Sequence, residues 1–205
     1  MRSDWVSPWW QALLLPSLWD VAGVRVRPLS VWHVFALTNL GNRFFAAESA
    51  QAPTMDDAQS LLMLATLDFR RGSALLQPQY AQRRARRMRR FYRKLSCLPE
   101  KDVLAACSEY VTVSMRRAHR MSQSDVSGTP AGTPEAWAIH VLLRRMGESR
   151  EGAWDYPYTE GRCALDASDE HAGNATMTPW WYGEEMLDNW DSYKDLTGTR
   201  DLVLN

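Results

Sequence analysis

YAQRRARRMRRFYRKL, residues 80–95, sets the electrical and helical layout of the chain. Eight of these sixteen residues are Arg or Lys and none is acidic. Read as a helix, Ala81, Ala85, Met88, Phe91, Tyr92 and Leu95 recur at three- and four-residue spacing and form one apolar stripe. The stripe lies beneath a basic face of Arg83, Arg84, Arg86, Arg87, Arg89, Arg90, Arg93 and Lys94. Such a face serves a nucleic-acid or membrane-surface element, or a packing helix that meets an acidic partner.

Helical spacing continues on both sides. Upstream, Thr54 caps an expected helix from Met55 to Arg71, with Asp56 and Asp57 in its first turn and Gly72 as its stop. Ser30 caps a helix over Val31 to Leu40, with Val34, Phe35, Leu37 and Leu40 inward and Gly41 as its left-handed end. Before it, LWDVAGVRVRP (residues 18–28) reads as a hairpin, because Val24, Arg25, Val26 and Arg27 alternate with period two after Gly23. Trp5 to Trp19 is an apolar, Pro-punctuated arm with a short helix after Pro8.

Downstream, Val103, Leu104, Cys107, Tyr110, Val111, Met115 and Ala118 predict a helix over about 100–121. SQSDVSGTPAGT (residues 122–133) has linker composition. Thr133, Pro134 and Glu135 then open a helix closed by Gly147, with Trp137, Ala138, Val141 and Leu142 inward. A Pro157-led helix runs to Gly173, and Thr178-Pro179 starts an acidic, aromatic one. The expected fold is mainly α, a bundle of six to eight helices with a small N-terminal β-hairpin. Its expected organisation is a basic region over 1–121, a linker over 122–133 and an acidic helical region over 134–205.

Net charge is zero, but its distribution is polar. Residues 1–121 carry 18 Lys plus Arg against 9 Asp plus Glu, and residues 122–205 carry 6 against 15. Internal pairing of the two halves, head-to-tail association or a charged partner for each end all satisfy that asymmetry. A hydrophobic fraction of 45% with 23% charged residues excludes global disorder. Ten Trp point to surface contacts, where a large apolar ring with one donor is favoured. Trp5, Trp9 and Trp10 in the arm and Trp180, Trp181 and Trp190 in the tail are the expected protein-interaction residues.

Cys97, Cys107 and Cys163 form no CxxC and no even framework, so free thiols in a reducing compartment are expected. Asp4, Pro8, Gln11 and Pro16 break any signal-peptide pattern, and no run is long and apolar enough to span a membrane.

Candidate chemistry is sparse. Asp166 and Glu170 stand at i, i+4 beside Asp169 and His171, where a divalent cation could bridge them. A solvated acidic helix face gives the same pattern, so no metal is expected, and no cofactor either. Cys163 has only Arg162 beside it and would need His119 or His140 through the fold to act as a nucleophile. His33 has no partner at i±4 and is expected to be structural. None of the common catalytic motifs is present, and no enzyme activity is expected.

GVRVRPLSVWHVFALTNLGNRFF (residues 23–45) resembles the Arg-Pro-Leu-[Ser/Thr]-x-x-His opening of small proteins encoded among tail and virion genes of tailed phages. EAWAIHVLLRRMGESREGAWDYPYTEGRCALDASDEHAG (residues 135–173) is similar to their closing helices. The resemblance implies a non-enzymatic assembly protein, made beside the tape-measure protein, that acts as a tail-assembly chaperone or as a virion subunit. It implies tail or virion proteins as partners, with homo-oligomer formation open, and a place in the host bacterial cytoplasm or the particle. The Trp-rich arm, basic middle helix and acidic tail depart from that pattern and suit a protein that grips neighbours. Nucleic-acid binding by residues 80–95 is the alternative.

Overall fold

The computed structural model describes residues 18–45, 51–115, 119–123, 134–172 and 175–179, and these are mostly helical. In chain order they form β1 (Trp19–Val21), β2 (Val24–Val26), α1 (Val31–Asn39), α2 (Met55–Ala65), α3 (Phe69–Leu76), α4 (Ala81–Leu95) and α5 (Glu100–Ser114). β3 (His119–Gln123), α6 (Glu135–Arg145), α7 (Arg150–Asp155), α8 (Tyr158–His171) and β4 (Ala175–Pro179) follow. Eight α-helices and an antiparallel N-terminal hairpin match the expected architecture. β1 and β2 pair with Trp19 opposite Val26. Their turn places Ala22 at φ 50° and Gly23 at φ 72°, the double left-handed geometry of a tight two-residue hairpin.

Several elements differ from expectation, each for a local reason. The helix expected over 55–71 is two helices broken at Thr66–Asp68. The carbonyls at the end of α2 are taken by other groups: Ala65 accepts from Arg27 N at 3.0 Å, and Leu64 lies 3.1 Å from His33 Nε2. Asp68 then caps α3 by accepting from Arg71 N at 2.7 Å. Gly72, expected as a stop, sits inside α3 because the Trp32 ring fills the space where a Cβ would stand.

The helix expected over 100–121 stops at Ser114, whose carbonyl accepts from the Thr159 hydroxyl at 2.6 Å. Residues 119–123 instead pair as β3 with β4, which also runs through Thr178 and Pro179. α7 has no counterpart among the expected helices; Ser149 caps it, accepting from Gly152 N at 2.9 Å.

One apolar core joins elements on both sides of residues 122–133. Val26, Leu37, Leu61, Leu62, Leu64, Leu95, Val103 and Tyr110 share it with Ile139, Leu143, Ala153 and Trp154. α1 is wrapped by α2, α6, α7 and α8. The backbone cements this contact: Val31 N donates to Tyr156 O at 3.0 Å and Tyr158 N to Leu29 O at 2.8 Å. The hairpin is held from the other side, where the Tyr110 hydroxyl donates to Arg27 O and Lys94 Nζ to Gly23 O.

The inward faces of two helices are rotated from expectation. In α4 only Leu95 is buried, with Met88 and Phe91 half-buried, while Ala81, Ala85 and Tyr92 are exposed. In α6 the buried side chains are Ala136, Ile139, His140 and Leu143, and Trp137 keeps 44% of its surface in water. Leu40, expected inward on α1, is also exposed. No helix among the described residues is long and apolar enough to cross a membrane.

Candidate functional site

Two surfaces stand out, the outward face of α4 and an aromatic shelf between α1, α6 and α7.

α4 has a charged face because its core contact needs only Met88, Phe91 and Leu95, spaced three and four apart. The eight basic residues divide accordingly. Arg84 Nη1 donates to the Leu76 carbonyl at 3.1 Å and reaches the Leu75 carbonyl at 3.5 Å, satisfying the C-terminal end of α3. Arg87 Nη2 donates to Thr66 Oγ1 at 2.9 Å, bracing the break between α2 and α3. Arg83, Arg86, Arg89, Arg90 and Arg93 are exposed, and Lys94, exposed too, donates through Nζ to the Gly23 carbonyl. Over the twelve residues from Arg83 to Lys94 the helix rises about 16 Å. Among the described residues, ion pairs join Arg43 to Asp57, Arg71 to Asp68, and Arg162 to Glu135 and Asp166; none involves α4. Arg87 feels this directly: burial, and then the charges of Arg83, Arg90 and Arg71, hold its guanidinium below the usual value.

The shelf collects aromatic rings from dispersed parts of the sequence. Trp154 stacks on His140 with centroids 4.0 Å apart and on Phe69 at 5.9 Å. Phe35 lies 5.3 Å from Trp154 and 6.2 Å from Trp137, which also lies 5.8 Å from Trp154. Burial, then the charges of Arg144 and Arg150, lower the His140 pKa. A half-exposed Trp on a continuous aromatic base is a ready anchor for another apolar surface.

The remaining polar residues are tied into the fold. Asp166 is 1% exposed and lies 3.5 Å from Arg162 Nε, while Arg162 and the Tyr158 hydroxyl both donate to Glu135. This network joins α6 to α8, so Asp166 points away from the solvated acidic face expected with Asp169, Glu170 and His171. Among the described residues no group of three or more His, Cys, Asp or Glu could hold a metal ion. The Glu170 side chain lies outside the described residues. Cys107 and Cys163 are buried and Cys97 is exposed. Burial pushes the Cys107 thiol up to about 12, far from a reactive thiolate. His33 is fully engaged, as the sequence implied: Nδ1 accepts from Ser30 N at 2.9 Å, and Nε2 faces the Leu64 and Leu67 carbonyls.

Trp5, Trp9, Trp10, Trp180, Trp181 and Trp190 lie outside the described residues, as do the arm helix, residues 124–133 and any helix after Pro179. The shelf is not legible in the sequence, because Phe35, Phe69, Trp137 and Trp154 belong to four separate helices and share no spacing. Comparison with known proteins brings no relative: no family model, curated protein or solved structure matches the chain significantly.

Proposed function

We propose that this chain is a non-enzymatic assembly protein of the tailed-phage kind that it resembles, working by protein–protein contact at the aromatic shelf. The observation that supports this reading is Trp137, which leaves 44% of its surface in water although Phe35 and Trp154 offer a packed base beneath it. Trp at the centre of an interface contributes disproportionately to binding, and half-exposed it remains available to a partner. An apolar helix of a tape-measure protein has the matching chemistry. The Trp-rich arm and tail would extend the grip, and the protein would act in the host cytoplasm during assembly or stay in the particle.

Co-expression with the tape-measure protein of the same phage tests the proposal. Wild-type chain should raise the soluble yield of that protein several-fold, and Trp137→Ala should lose the effect while keeping its own fold. A tape-measure protein equally insoluble with and without the chain, together with purified particles lacking the chain by mass spectrometry, would sink both the chaperone and the subunit versions.

A further inference from the structure

We propose that the outward face of α4 is a docking surface for the phosphate backbone of a nucleic acid, a role separate from the shelf. The face carries five exposed arginines, Arg83, Arg86, Arg89, Arg90 and Arg93, with Lys94 at its end committed to the Gly23 carbonyl, on a helix that the core holds through Leu95. A nucleic-acid strand offers one charge about every 3.4 Å of its axis, so a row about 16 Å long meets roughly five phosphates. Guanidinium groups match phosphate with two parallel hydrogen bonds, which a row of lysines would not do.

Three features favour nucleic acid over an acidic protein surface. The described residues supply no carboxylate to this helix, although they pair Arg43, Arg71 and Arg162 elsewhere. Protein interfaces deplete charge at their centre and place apolar groups there, whereas this arc has only Gln82 among its cations. Tyr92, exposed by 57%, stands at the edge of the arc, where a base of a single strand could stack. The cluster also carries uncompensated repulsion, since Arg83, Arg90 and Arg71 all act on the half-buried Arg87. A bound polyanion would relieve it.

The test uses the full chain with a fluorescent duplex of about twenty base pairs and with one of its strands alone, titrated at 50 and 200 mM salt. Five phosphate contacts give a log–log salt slope of about −4.5 on duplex, so affinity should drop about five-hundredfold between the two conditions. The variant Arg83→Gln/Arg86→Gln/Arg90→Gln/Arg93→Gln should lose most binding at 50 mM and flatten the slope by about four. Lys101→Gln/Arg145→Gln, away from α4, should bind like wild type. Tyr92→Ala tells the two nucleic-acid forms apart, weakening only the single strand if bases stack there. Absence of binding to either probe at 50 mM overturns the proposal, as does full binding by the folded quadruple variant. Tighter binding of polyglutamate of equal charge also overturns it, and assigns the face to acidic protein.

Discussion

The imidazole of His33 donates from Nε2 to the Leu67 carbonyl at 3.0 Å, and this contact fixes where α2 ends and α3 begins. The same nitrogen lies 3.1 Å from the Leu64 carbonyl, while Nδ1 accepts from Ser30 N at the start of α1. Both ring nitrogens are therefore committed, with the proton on Nε2, and the neutral ring bridges two helix ends. The side chain is 1% exposed, so a charged imidazolium would have to be accommodated without water.

Stability should accordingly weaken in mild acid. Burial, opposed by the Leu64 and Leu67 carbonyls, lowers the His33 pKa from 6.5 to about 4. Between those values the unfolded chain binds a proton that the folded chain refuses. The His33 contribution is therefore complete above pH 6.5, lost as pH falls towards 4, and level below that. The shift corresponds to about 3 kcal/mol. Burial raises Asp155 and Glu160, which act in this window with the opposite sign, whereas Asp57, held low against its burial by Thr54 and Arg43, titrates below it. The difference between wild type and His33→Gln isolates the histidine. Urea denaturation should show a gap of about 2–3 kcal/mol at pH 7 that closes towards pH 4. A gap independent of pH would show that the ring is not buried neutral.

Gly72→Ala should destabilise the protein although it improves helix propensity by about 1 kcal/mol. A Cβ at Gly72 would stand 1.9 Å from Cη2 of Trp32, and within 2.7 Å of two further ring carbons. Trp32 is 4% exposed and edge-on to both His33 and Phe69, so the ring has nowhere to move. Overpacking of this kind costs about 1–3 kcal/mol or more, which outweighs the propensity gain. Thermal denaturation should show a lowered midpoint for Gly72→Ala. Trp32→Phe removes the atoms that clash, so the double variant should be less destabilised than the two single changes summed. Strict additivity would mean that the two residues do not touch.

The hairpin, the caps at Ser30 and Thr54 and the positions of α1, α4 and α5 were legible because local chemistry decides them. Thr54 and Asp57, for example, form a reciprocal cap with the Thr54 N–H donating to Asp57 at 2.9 Å. What the sequence hid was set by distant groups. The break at Thr66–Asp68 depends on His33 and Arg27, and the end of α5 on Thr159, forty-five residues away. In α6, the i, i+3, i+4, i+7 rule admits both Trp137–Val141 and Ala136–Ile139–His140–Leu143 as a stripe. Only contact with α1 and α8 selects the second. Asp166 looked solvated because its i, i+4 partner Arg162 is on its own helix, and only the docking of α8 on α6 buries the pair and joins it to Glu135.

The arginines of α4 should separate into two classes by their effect on stability. Arg84 and Arg87 donate to neighbouring elements, so Arg84→Ala or Arg87→Ala should cost about 1 kcal/mol each. Arg83 and Arg90 are exposed, make no ion pair among the described residues, and repel Arg87. Arg83→Ala and Arg90→Ala should therefore be neutral or stabilising by about 0.5 kcal/mol at low salt. Raising the ionic strength from about 0.02 to 0.2 M shortens the screening length below the span of this row. The melting temperature of the wild-type chain should rise across that range, and the rise should shrink in Arg83→Ala/Arg90→Ala. A wild-type chain that is instead weakened by salt would place a carboxylate against this face, and the basic arc would then be an internal contact rather than a free one.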